Sequence, residues 1–427
     1  MALLLVWLLP IQARAFKTVC VNTAGVWPTF EVIYHPEGCE GISITSVTKV
    51  PGQVQVLAED STLLYDSGPY VQDTSGMTIK VRGNTSASML PTPYKIKLQT
   101  KADLLCRSDA LNHQDKNWLL LQPRLYTMVG LYMNELMGMP FSPKCELVNV
   151  VMNDSVLGLY LLTEAVNRNP DCRVNVDKQT GYIIERDAYW WNEPVSFTTG
   201  FFPYGLQWTF KYPDAEDVTE SQITTASNFV ETVEASLTDS TYTRYLDVLS
   251  CAKWMVGQDA LGIWDGWGSN LYFARYDTIT NSRFVVPCMW DFNTMASDEY
   301  RGRWVWAHTH HEDSYFPWLL DNIANTAFIC TYCDVWEGLS NHLIEDMNAF
   351  MVPYAALFQE EYLTYKAWFA ERKAYMDEQV RLMREVCTAP IPTNRAMDKL
   401  NIKMNANGQL YIVCPDGTKY NILGQRI

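Results

Sequence analysis

Near residue 220 the spacing of apolar residues changes from about two to about 3.6. Upstream, apolar and polar residues alternate in short runs, as in Thr29-Phe30-Glu31-Val32-Ile33-Tyr34, Met77-Thr78-Ile79-Lys80-Val81 and Tyr94-Lys95-Ile96-Lys97-Leu98. A period of two places alternate side chains on opposite faces of a strand. Trp118-Leu119-Leu120-Leu121 predicts a buried strand, and 146–152 with 157–164 a hairpin across Asn153-Asp154. One helix is expected early, over 127–137, ended by Gly138 and Pro140. Downstream, 221–237 and 242–258 have helical spacing, and 316–384 reads as almost continuous helix. Short strands are expected at 270–276 and 283–287, and alternation returns over 409–427. Segregated strands and helices predict an α+β fold with a β-rich first lobe and a helical second lobe.

This layout divides the chain into four segments. Residues 1–15 read as a signal peptide, 16–75 as a small β lead-in, 76–385 as the main body and 386–427 as a C-terminal β tail. The first segment is apolar from Ala2 to Ile11, and Ala13-Arg14-Ala15 gives a small-x-small cleavage site, so a secreted or cell-surface location is expected. No later apolar run is long enough to span a bilayer. A formal net charge of −15 disfavours binding to nucleic acid through a basic face. The eleven cysteines are scattered, with Cys20–Cys39 one candidate pair. Cys330 and Cys333 have ligand-like spacing but no second pair, so they read as cysteines on one helix face.

Two constellations carry the candidate chemistry. In the second lobe, Asp265 and Asn270 are followed by Asp291 at the end of a strand, within Trp290-Asp291-Phe292-Asn293. Two carboxylates and an amide can converge on a hard cation such as Mg²⁺ and leave room for phosphate oxygens. The spacing parallels that of protein kinases, where Asp-x4-Asn precedes a metal-binding Asp-Phe. The ordinary reading is that Asp265 and Asn270 form turns. In the first lobe, Lys95 and Lys97 share a strand face, with Arg82 nearby in Arg82-Gly83-Asn84-Thr85-Ser86. These cations could meet phosphate, or the lysines could guard a solvated edge strand. Glu164 could orient such a lysine by an ion pair, or be a surface glutamate.

At these residues the chain resembles the spore coat protein H (CotH) kinase family of atypical protein kinases. The resemblance rests on Arg82-Gly83-Asn84, Pro93 to Leu98, Gly158 to Glu164, Gly181 to Asp187, Lys211-Tyr212-Pro213, Asp265 to Asn270 and Trp290-Asp291-Phe292, which occur in the family order. It makes 76–385 a CotH kinase-like domain and implies a kinase-like two-lobed fold. It implies ATP with Mg²⁺ or Mn²⁺, and phosphoryl transfer to Ser or Thr of secreted or surface proteins. Asp291 would be a metal ligand, Asp265 the catalytic base or a metal ligand, and Asn270 a support for the metal. Arg82, Lys95, Lys97 and Glu164 would serve the nucleotide. Three departures stand out: Pro91-Thr92 and Val129-Gly130 where family members often carry Lys-Lys and Arg-Asn, and Asn293 for a carboxylate. They frame a rival reading, a non-catalytic surface or assembly protein. A third reading, carbohydrate binding, draws on Tyr189-Trp190-Trp191 and Trp304-Val305-Trp306. His308 to Asp313 reads as a polar loop.

Overall fold

A computed structural model describes residues 16–35, 41–201, 205–266, 269–280, 282–303, 315–320 and 325–388, with strands at 401–404, 410–413 and 419–421. The expected signal peptide, Cys39, Trp304-Val305-Trp306 and the segment His308 to Asp313 lie outside the described residues. The fold is mixed α+β, and the chain divides into two compact units.

The first unit comprises 44–123 and 146–163 with the residues up to 31. Its strands are β1 (Thr18–Asn22), then, past the two-stranded ribbon of β2 (Phe30–Tyr34) and β3 (Ile42–Ser46), β4 (Val50–Leu57) and β5 (Leu63–Asp66). There follow β6 (Met77–Val81), β7 (Tyr94–Ala102), β8 (Asp115–Leu121), β9 (Cys145–Met152) and β10 (Ser155–Glu164). The sheet order is β1-β9-β10-β8-β7-β6-β4-β5, and β1 also pairs with β4. That extra pairing closes seven strands into a barrel-like ring, with β5 appended to β4. Strands on either side of residue 75 therefore belong to one sheet.

Alternation decides which side chains fill the ring. Met77, Ile79, Val81, Ile96, Leu98, Trp118, Leu120, Val148 and Val150 belong to one buried cluster. Lys80, Lys95 and Lys97 fall between them and are half-buried. Lys95 lies opposite Lys80, and Lys97 opposite Thr78. Strand β7 has β6 on one side and β8 on the other, so the edge-strand reading of its lysines is corrected. The β9–β10 turn has Asn153 and Asp154 at φ +48° and +63°. Such left-handed pairs match a two-residue hairpin turn to the strand twist.

The second unit contains a five-stranded sheet and all seven α-helices found among the described residues. Strands β11 (Tyr182–Arg186), β12 (Ser196–Thr199), β13 (Leu206–Tyr212), β14 (Leu271–Arg275) and β15 (Phe284–Val285) pair antiparallel in the order β12-β13-β11-β14-β15. The helices are α1 (Leu125–Leu136), α2 (Glu220–Thr238), α3 (Val248–Leu261), α4 (Tyr315–Leu320), α5 (Thr326–Ser340), α6 (Leu343–Met351) and α7 (Gln359–Thr388). Helix α2 starts at a capping box in which Thr219 and Gln222 each bond the other's backbone. Helix α3 is buried along nearly its whole length. The almost continuous helical run expected over 316–384 is there, divided among the described residues into four helices, and Pro353, in a short 3-10 turn, separates the last two.

Two cysteine expectations are resolved. Cys330 on α5 is joined to Cys387 on α7 by a disulfide, while Cys333, one turn along, is a buried thiol. Cys20 is a free thiol rather than half of a Cys20–Cys39 pair. It lies on a central strand of the closed sheet, between β9 and β4.

Candidate active site

Two loops in the second unit carry the acidic residues. The first leaves α3 through Gly262, at φ +70°, where a Cβ would come within 2.2 Å of the Trp368 ring. A glycine is required there on both counts. Three residues later comes Asp265, half-buried. The second loop follows β15: residues 286–290 run outside any sheet, and Asp291 follows at φ +58°. A left-handed backbone at a non-glycine residue costs about 1 kcal/mol or more and marks a position fixed by its surroundings. Asp291 is exposed, while Phe292 beside it is buried.

The loops meet at Thr294. Its hydroxyl donates to Asp265 Oδ1 at 2.9 Å and accepts from the Trp264 backbone N–H at 3.4 Å. The Asn293 N–H points to Asp291 Oδ1 at 3.4 Å. Burial, reinforced by the charge of Asp291, pushes the Asp265 carboxyl up to about 6, and the Thr294 hydroxyl pulls against the rise. The two carboxylates therefore feel each other in a partly desolvated place. The Gln258 carboxamide is buried nearby and has neither polar atom hydrogen-bonded; a Cβ on Gly266 would lie 2.6 Å from its oxygen.

These features fit a divalent cation with oxygen ligands. A cation would relieve the repulsion that raises Asp265, and all the donors on offer are hard oxygens. Among the described residues, no group of three or more His, Cys, Asp or Glu is arranged to hold a metal. The protein donors are thus two carboxylates and amides, fewer charges than an all-protein cage would use.

The other candidate residues have distinct placements. Asn270, half-buried at φ +64°, precedes β14, and its neighbour Ser269 accepts the Ala188 N–H at 3.1 Å. Lys95 and Lys97 lie on β7, and the Arg82 backbone N–H donates to the Pro93 carbonyl at 3.0 Å, all in the first unit. Glu164 is not a surface glutamate: it is 2% exposed, ion-paired with Arg173, and accepts the Lys144 N–H at 2.9 Å.

One cluster escaped the sequence reading. Lys211 on β13 lies 2.8 Å from Glu185, 3.2 Å from Glu193 and 3.5 Å from Asp187. Burial opposes its charge, but the three carboxylates outweigh burial and hold the ammonium well above the ordinary lysine range. Glu185, Asp187 and Lys211 come from the Gly181–Asp187 and Lys211–Pro213 segments, whose strands pair antiparallel, and Glu193 from the end of the short 3-10 turn at Trp190–Asn192. Thr294 was missed as well, because a threonine three residues after an aspartate carries no pattern of its own.

The family model described as CotH kinase protein matches residues 79–388. The chain belongs to the CotH kinase family. Members of this family are named for kinase chemistry, so the match supports a kinase-type, phosphoryl-transferring function. No curated protein matches the chain. No helix among the described residues is long and apolar enough to cross a membrane.

Proposed function

We propose that this CotH kinase family member binds ATP with Mg²⁺ or Mn²⁺ and transfers the terminal phosphoryl group to Ser or Thr hydroxyls of secreted or surface proteins. The observation that carries the reading is the pair of carboxylates, Asp265 raised by burial and by Asp291, with Thr294 tying their loops together. Asp265 and Asp291 would hold the cation, with Asn270 in support. When bound, the cation would supply charge neutralisation for the phosphates. Asp265 would alternatively serve as the base that takes the proton of the attacking hydroxyl. Arg82, Lys95 and Lys97 would provide cations for phosphate oxygens. Glu164, already paired with Arg173, would act by fixing local structure. A kinase-like two-lobed fold is part of this proposal. So is export, which the Cys330–Cys387 disulfide supports, since such bonds persist in oxidising compartments.

The test is calorimetric titration with ATP plus Mg²⁺ and again with Mn²⁺, on the wild-type protein and Asp291→Ala. Metal-dependent binding lost in the variant is expected; equal binding by both proteins would overturn the assignment. A second reading, a non-catalytic binding protein, draws on exposed Asn293 where the family pattern has a carboxylate. Nucleotide binding without turnover in the presence of candidate acceptor proteins would favour it.

A further inference from the structure

Among the described residues, no strand pairs with residues 286–291, and their backbone groups need partners from elsewhere. Side chains and backbone outside the strands supply them: the Ser250 hydroxyl accepts the Val286 N–H at 3.1 Å, and the Pro287 carbonyl accepts the Phe141 N–H at 2.9 Å. Asn134, on α1 and fully buried, accepts the Met289 N–H through Oδ1 at 2.7 Å and donates through Nδ2 to the Met289 carbonyl at 3.2 Å. The same Nδ2 reaches the Gly130 carbonyl at 3.3 Å. One carboxamide thus does for Met289 what a neighbouring strand would do.

Two helix glycines face the same segment. A Cβ on Gly130 of α1 would lie 2.1 Å from the Phe292 ring. A Cβ on Gly257 of α3 would lie 2.2 Å from the Met289 sulfur. Glycine within a helix costs roughly 1 kcal/mol relative to alanine, so each needs a reason. The reason here is contact: Phe292 and Met289, on either side of Asp291, occupy the space a methyl group would fill. Asp291 itself remains exposed on a segment clamped before and after it.

We infer that Asn134 is a positioning residue for Asp291, setting its carboxylate for a divalent cation, with Gly130 and Gly257 shaping the socket. The inference rests on the proposed metal-binding role of Asp291. Only a side chain with both a donor and an acceptor can satisfy Met289. Aspartate would keep the acceptor and lose the donor, and leucine would lose both.

The experiment compares full-length wild type with Asn134→Leu and Asn134→Asp, well below their unfolding temperatures. Hydrogen exchange is followed over 286–293, and Mn²⁺ binding, alone and with ATP, by electron paramagnetic resonance. The expected result is lost protection confined to that segment, with Mn²⁺ affinity at least ~10-fold weaker, as when a residue supporting a metal ligand is removed. Folded variants with wild-type protection and Mn²⁺ affinity within about two-fold of wild type would overturn the inference. If the wild type binds no Mn²⁺, the metal-binding role of Asp291 falls, and with it Asn134 as a residue positioning a metal ligand. Exchange then decides what remains: lost protection leaves Asn134 a clamp on Met289, and unchanged protection removes that too. If both variants fail to fold, Asn134→Gln, which keeps the donor and acceptor but displaces both by one methylene, is read in the same two ways.

Discussion

The closed sheet of the first unit and the acid-bearing loops of the second solve one problem in opposite ways. Backbone polar groups in the sheet are satisfied by neighbouring strands, and its interior is filled by side chains such as Val19, Ile79, Ile96 and Trp118. The segment around Asp291 has no such ladder and is held by separate contacts, among them the Asn134 carboxamide, two glycine contacts and a threonine hydroxyl. Regular pairing makes a scaffold tolerant of what its outer face carries. Side-chain clamps fix a few atoms closely, and each clamp is a single point of failure.

The sharpest break of this contrast comes from its two interiors. Trp118→Ala should cost about 3–5 kcal/mol through the cavity it leaves. Arg173→Ala should cost a similar ~3–5 kcal/mol for a different reason, since Glu164 would be left as an uncompensated buried charge. Denaturant unfolding measures both, and adding Glu164→Gln to Arg173→Ala should restore part of the loss, whereas no second polar change rescues Trp118→Ala. Next in size is Cys330→Ser, expected to cost about 2–4 kcal/mol by releasing the 57-residue separation closed by the disulfide. Reductant should lower the wild-type melting temperature by the same amount and leave the variant unmoved.

A smaller effect, of opposite sign, is expected at Asp265. Its folded carboxyl titrates at about 6 against roughly 4 when unfolded, so the native state holds the proton more tightly. That contribution to stability is complete below pH ~4 and lost as the pH rises through ~6. Asp265→Asn should therefore be more stable than wild type at pH 8, by about 1–2 kcal/mol allowing for partial exposure, and equal to it near pH 4. Melting temperatures across that range, without added metal, would reveal a flat difference if the carboxyl were not raised. The smallest effect is expected on the outer face of the sheet, where replacing half-buried Lys97 by Ala should change stability by no more than ~1 kcal/mol. A loss above about 1 kcal/mol would mean that Lys97 serves the fold rather than a ligand.

The same contrast explains how much could be read in advance. Alternation is a local signal, so the strands around Ile79, Ile96 and Trp118, and the turn at Asn153-Asp154, were legible. The change of period near 220 announced the helices that follow it, but the helix read over 242–258 starts six residues later, at Val248, and turns such as that holding Pro353 gave no signal. Asp265 and Asp291 were legible as candidates because their motifs are short and ordered. Partnerships across the chain were not. Nothing around Asn134 shows that its carboxamide meets Met289, 155 residues away. Nothing around Lys211 shows that three carboxylates gather on it. An edge strand and a central strand have the same alternation, which is why the lysines of β7 could be read either way.

The ring of strands has a consequence for how the chain is made. Its first strand, β1, pairs antiparallel with β4 but parallel with β9. During synthesis from the N-terminus, one side of β1 stays open until residues near 150 have emerged. A chain stalled or cleaved before that point would present a row of unpaired amides and carbonyls beside Val19 and Val21, a template for pairing with its neighbours. The strand of the ring made first thus waits for one of the last two made, and shortened products of this chain should be found in aggregates rather than as smaller soluble barrels.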